Sequence, residues 1–157
     1  QQSLRRSTPG LAGEETVLLV DDEPMVRDLG NEILRSYGYQ VVLACDGLEA
    51  LEIYESRGAD IDLVVLDLLM PKLGGKDTLT GLRKLNPAAK VIICSGYGSR
   101  ENGLQQMMAS GINLVQKPFK PEELVSAVRQ VLDGETGNPK EKHGTTSLSG
   151  ENVAVQS

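Results

Sequence analysis

Five short apolar runs, near residues 16–20, 40–44, 62–66, 90–94 and 113–115, alternate along the chain with segments of helical spacing. Short, nearly continuous apolar runs bounded by polar residues are the signature of strands buried on both faces, and such strands need helices over both sides of their sheet. Strand–helix alternation with right-handed crossovers restricts the topology to a doubly wound parallel sheet. The order 2-1-3-4-5 is the most economical, and it sets the first and third strands side by side. In such sheets ligands bind beyond the carboxyl ends of the strands, where the winding reverses.

The intervening segments carry their own punctuation. Pro24 suits a first helical position, and a helix to Tyr37 puts Val26, Leu29, Ile33 and Tyr37 on one face before Gly38 ends it. A second helix, Gly47 to Arg57, is expected to bury Leu48, Leu51 and Tyr54 and to stop at Gly58. A third carries Leu79, Leu82 and Leu85 and is stopped by Asn86-Pro87. A fourth carries Leu104, Met107 and Met108 before Gly111, and a fifth starts at Pro121 with Leu124, Val125, Val128, Val131 and Leu132 inward.

At 157 residues the chain has room for one domain with tails. The expected division is a linker over 1–14, a domain over 15–134 and a polar, flexible tail or linker over 135–157. The opening on Gln1 rather than Met reads as a piece of a longer protein, and the first residues lack the apolar stretch of a signal peptide. Apolar residues make up 39% and charged residues 24%, as in an ordinary soluble domain, and no apolar run approaches the ~20 residues of a membrane span. A net charge of −6 argues against direct nucleic-acid binding, which needs a basic face for backbone phosphates. Cys45 and Cys94 lie far apart without a CxxC or a nearby His, and read as reduced core thiols of a cytoplasmic protein. His143 lies in the polar tail and reads as solvated, as do Arg83, Lys84, Lys90 and Arg100.

The strand ends concentrate the chemistry. Val17-Leu18-Leu19-Val20 runs into Asp21-Asp22-Glu23-Pro24, Leu63-Val64-Val65-Leu66 into Asp67, Val91-Ile92-Ile93-Cys94 into Ser95, and Leu114-Val115-Gln116 into Lys117-Pro118-Phe119. Three carboxylates gathered at the switch point repel one another unless a cation joins them. An all-oxygen set favours a hard ion, and Mg²⁺ fits because it needs only one or two carboxylates together with phosphate and water. Lys117 adds a point charge for phosphoryl oxygens, the Ser95 hydroxyl adds a donor in a loop loosened by Gly96 and Gly98, and Asp67 is placed to attack phosphorus. Each element alone has a structural explanation as a helix cap, a turn or a loop opening; their joint occurrence on successive strand ends does not.

Val20-Asp21-Asp22-Glu23-Pro24, Asp67-Leu68-Leu69-Met70-Pro71 with Gly75, Ser95-Gly96-Tyr97-Gly98 and Lys117-Pro118-Phe119-Lys120 together resemble the receiver domain of two-component response regulators, over about residues 15–134. The resemblance implies a flavodoxin-like (βα)5 fold and a phosphoryl group passed from a phosphohistidine, on a sensor histidine kinase or histidine phosphotransfer protein, to Asp67. It implies Mg²⁺ bound directly by Asp22, mainly through water by Asp21, and by Asp67 and the backbone carbonyl of Leu69. Lys117 would contact the phosphoryl group, and Ser95 would sense it and reshape the face of the fourth helix and fifth strand. Such a domain catalyses its own phosphorylation and dephosphorylation without turning over a substrate. Two positions depart from the pattern: Leu114 stands where the family usually has Tyr or Phe, and Gly74 replaces a common acidic residue. The Ser95–Gly98 string is similar to receivers attached to hybrid sensor histidine kinases.

Three other functions fit less of the sequence. A haloacid-dehalogenase-type phosphatase would need an acid two residues after its first-strand nucleophile and a later acidic pair, whereas here Glu23 precedes Pro24 and Glu122-Glu123 open a helix. A flavodoxin-like cofactor binder would meet repulsion between phosphate and Asp21-Asp22. A receiver that only docks, without phosphorylation, would not need the full set of acids, Ser and Lys. No helix-turn-helix pattern follows residue 134, so the sequence names no output.

Overall fold

The computed structural model describes residues 10–70, 72–96 and 112–134. Five parallel strands, β1 (Thr16–Val20), β2 (Gln40–Ala44), β3 (Leu63–Asp67), β4 (Val91–Ser95) and β5 (Asn113–Gln116), form one sheet in the order β2-β1-β3-β4-β5. The described helices are α1 (Pro24–Ser36), α2 (Gly47–Arg57), α3 (Gly75–Leu85) and α4 (Pro121–Leu132), with a short 3-10 turn at Gly58–Asp60. The expected helix carrying Leu104, Met107 and Met108 lies outside the described residues, as do Pro71, Tyr97, Gly98, Arg100, His143 and the tail 135–157.

The central strands are buried throughout, β3 and β4 over all their residues, which is why they lack polar alternation. One apolar layer joins the sheet to α1 and α4 through Leu19, Ile33, Leu34, Tyr37, Leu124, Val125 and Val128. The other joins it to α2 and α3 through Leu18, Leu66, Ile93, Ala50, Tyr54 and Leu82. Three leucines expected inward are not: Leu29, Leu48 and Leu85 are 44%, 50% and 46% exposed. Small residues hold the inward positions instead, with Gly30 buried in α1 and Ala50 in α2. A Cβ on Gly30 would sit 2.8 Å from Leu19 Cδ2, so a larger residue there would force the buried Leu19 side chain to shift.

Helix ends follow their local chemistry. Pro24 begins α1, and Gly38, at φ +100°, reverses the chain after it. Asp46 caps α2 by accepting the Glu49 N–H at 2.9 Å, while the Glu49 carboxylate accepts the Cys45 N–H at 2.8 Å. Cys45 itself is exposed, contrary to the core position expected for both thiols; Cys94 is buried on β4.

Residues Leu11, Ala12 and Gly13 make contacts with the helices. Leu11 packs on the α1–α4 layer, and the Gly13 N–H bonds the Tyr37 carbonyl at 3.1 Å. Arg129 of α4 clasps this segment: it donates to the Glu15 carboxylate at 2.9 and 3.1 Å, the Ala12 carbonyl at 3.3 Å, the Tyr39 hydroxyl at 3.0 Å and Asp133 at 2.9 Å. No helix among the described residues is long and apolar enough to cross a membrane.

Candidate functional site

Strand register brings the acids together. Val20 pairs with Leu66, so the next residues, Asp21 and Asp67, leave adjacent parallel strands side by side. Carboxylate oxygens of Asp21, Asp22 and Asp67 all lie within 4.8 Å of one another. Asp21 and Asp67 are buried, and Asp22 is partly open to solvent.

Lys117 reaches the same point from the other side. Ser95 pairs with Gln116, so Lys117 follows at the end of β5, and its backbone N–H donates to the Ser95 carbonyl at 2.7 Å. Its ammonium crosses in front of β4 to donate to Asp21 Oδ2 and Asp67 Oδ1, each at 3.1 Å. The Lys117–Pro118 peptide is cis, and Phe119 behind it is buried in the α1–α4 layer. Ser95 is buried at the end of β4, beside the strand that ends in Asp67. Leu69 stands in the loop after β3 with its side chain largely in solvent.

Electrostatics mark Asp67 among the three acids. Burial, then repulsion from Asp21, pushes its pKa up to about 6, although Lys117 pulls the other way. For Lys117, burial disfavours the ammonium, but the carboxylates of Asp67 and Asp21 outweigh it and hold the pKa above the ordinary lysine value. Behind the site, burial pushes the Cys94 thiol up to about 12, an inert group rather than a nucleophile. At the rim, a hydrogen bond with Glu49 raises the Cys45 pKa as well.

The donor set fits a divalent cation. When all three acids are ionised, they outnumber the one ammonium paired with them, and two of them, Asp21 and Asp67, are buried. All the ligand atoms are oxygens, the chemistry preferred by Mg²⁺.

One supporting residue carries no signal in the sequence. Arg27 Nη1 donates to the Asp21 carbonyl at 2.7 Å, and the Asp21 carboxylate turns back to accept the Glu23 N–H at 3.0 Å. An Arg six residues after an acid carries no signal until the helix places it. Lys72, largely exposed in the loop after β3, lies 3.8 Å from the Asp46 carboxylate.

The chain matches the family described as "Response regulator receiver domain" over residues 17–129. It is 40% identical over 123 residues to the sensor kinase CckA of Brucella abortus, covering 78% of this chain and 13% of that protein. It is 34% identical over 116 residues to the chemotaxis protein CheY of Thermotoga maritima, covering 73% of this chain and 95% of that one. The solved receiver domain protein from Clostridium thermocellum superposes with a TM-score of 0.71 at 29% identity, over 76% of this chain and 94% of that one. The chain thus spans nearly the whole of one curated relative and a small part of another.

Proposed function

Because the chain belongs to the response regulator receiver domain family, and is a phosphoacceptor domain of two-component signalling, we propose that Asp67 is the residue that takes the phosphoryl group. The observation that carries this is the Lys117 ammonium held 3.1 Å from Asp67 at the switch point of the sheet. An Asp67 oxygen attacks phosphorus in line, the P–N bond of the donor phosphohistidine breaks, and the imidazole leaves with the bonding pair. Lys117 then exchanges its hydrogen bond to the carboxylate for one to a phosphoryl oxygen. Ser95, on the neighbouring strand end, donates its hydroxyl to the same group and couples its arrival to β4 and β5.

Asp21, Asp22 and Asp67, with the Leu69 carbonyl, would hold Mg²⁺. When bound, the ion screens the approaching phosphoryl oxygens from the carboxylates. The domain promotes its own phosphorylation and dephosphorylation without turning over a separate substrate. The donor is a histidine kinase or histidine phosphotransfer protein in the cytoplasm, and likeness to part of a sensor kinase supports an origin within a hybrid kinase.

Intact-mass measurement after incubation with Mg²⁺ and acetyl phosphate tests this: the native chain gains one phosphoryl group and Asp67→Asn gains none. Labelling that persists in Asp67→Asn would overturn the assignment.

A further inference from the structure

We infer that Arg27 is a positioning residue for the acidic pair, fixing the backbone from which Asp22 reaches the cation; this rests on the metal-binding function proposed above. Every polar group of Asp21 is held. Its N–H donates to the Ala44 carbonyl at 3.2 Å, its Oδ1 accepts the Glu23 N–H at 3.0 Å, and its Oδ2 accepts from Lys117 at 3.1 Å. Its carbonyl is taken by Arg27 Nη1 at 2.7 Å, the shortest of the four.

That carbonyl belongs to the planar peptide whose nitrogen is Asp22's, so fixing the oxygen fixes the direction in which the chain leaves toward the Asp22 Cα. The Asp22 carboxylate makes no hydrogen bond or ion pair with the other described residues. Its aim is therefore set from the backbone, and Arg27 is the side chain that sets it. The guanidinium reaches from α1 to the end of β1, and its charge is also felt by Cys45, in the loop after β2, and by Glu49 in α2. It is half-buried beside the pocket and pre-organised by its planar fork.

Two roles for this residue have opposite signs. A bare positive charge next to a cation site weakens binding of a second cation, whereas a group that orients a ligand strengthens it. Removing Arg27 therefore tightens Mg²⁺ if it acts only as a charge, and loosens Mg²⁺ if it positions Asp22.

The test is a Mg²⁺ titration of the full chain at constant ionic strength, followed by the amide resonances of Asp21, Asp22 and Asp67. Arg27→Met should raise the apparent Kd roughly tenfold, in the range seen when a partner of a metal ligand is removed. Arg27→Lys, which keeps the charge but not the fork, should fall between the two. At saturating Mg²⁺, the extent of Asp67 labelling by acetyl phosphate should recover, which locates the defect in the metal midpoint rather than the plateau. Native or tighter Mg²⁺ affinity in Arg27→Met would overturn the inference. Should that variant not fold, Arg27→Lys decides: weaker affinity supports the assignment and native affinity overturns it. A native chain indifferent to Mg²⁺ would instead sink the metal site itself, a result distinct from failure of the Arg27 assignment.

Discussion

A Cβ placed on Gly75 would lie 2.6 Å from the backbone carbonyl oxygen of Asp67. The first residue of α3 is thus pressed against the end of β3, and the Gly75 N–H bonds the Leu68 carbonyl at 2.9 Å across the same gap. Both obstructing groups are backbone, which cannot swing aside as a long side chain does. Gly75→Ala should cost about 1 to 3 kcal/mol in urea denaturation and weaken Mg²⁺ binding together with it, because relief of the clash moves Asp67. A loss of stability with unchanged metal affinity would show that the end of β3 is held without this contact.

Lys117 is the cation that keeps Asp21 and Asp67 together at 3.1 Å each. Lys117→Met should leave the two carboxylates facing each other, raise the Asp67 pKa above about 6, and abolish labelling by acetyl phosphate while Mg²⁺ still binds. Carbon-13 titration of the Asp67 carboxyl reads the first effect, and intact mass the second. A pKa that does not rise would mean that Lys117 does little to hold the native charge state.

The raised Asp67 pKa has a definite sign in stability. An acid whose folded pKa lies above its unfolded value stabilises the fold fully below the unfolded pKa, and that contribution is lost as pH rises through the folded one. Without metal, Asp67 should therefore cost stability between about pH 4 and pH 6, by at most about 3 kcal/mol in all. Millimolar Mg²⁺ should reverse the trend, because the ion binds the ionised acids. Melting temperatures across this range, with EDTA or with Mg²⁺, check both arms, and Asp67→Asn should flatten the metal-free dependence.

Leu114, half-buried against the α2–α3 layer on β5, has neither the hydroxyl nor the flat ring that would exchange between inward and outward pockets. Phosphorylation should then perturb the amides of Ser95 and Gly96 more than that of Leu114, with Tyr97 the aromatic nearest in sequence to take up the signal. Tyr97→Ala should weaken the response of a partner while Asp67 labelling is kept. Large shifts at Leu114 with none at Tyr97 would show that the usual route works without its ring.

The sheet was legible because apolar continuity and strand-end polarity coincide. The pairing of Val20 with Leu66 sets β1 beside β3, and the grouping of Asp21, Asp22 and Asp67 follows from it. The limits of β3 and β4 fall one residue later than expected, since Asp67 and Ser95 still take part in the ladder: Asp67 pairs with Cys94, and Ser95 with Gln116. Helix faces were harder. Periodicity sees large apolar residues, so it chose Leu29 and Leu48, whereas the close approach of helix to sheet selects Gly30 and Ala50. Arg27 and Arg129 had no readable signal, because their roles depend on carbonyls and carboxylates brought near only by the finished fold.

The family match ends at residue 129, yet Arg129 takes its partners from outside it: Ala12 and Glu15 upstream, Asp133 downstream. Trimming to residues 17–129 would strip the guanidinium of every carboxylate it bonds and leave Tyr39 as its one remaining hydrogen-bond partner among the described residues. The two ends of the domain are thus knotted by a single side chain. A pull on the residues before Leu11 would load Tyr39, whose hydroxyl donates to the Leu11 carbonyl at 2.8 Å, and through Arg129 the end of α4, the same place from which residues 135–157 follow.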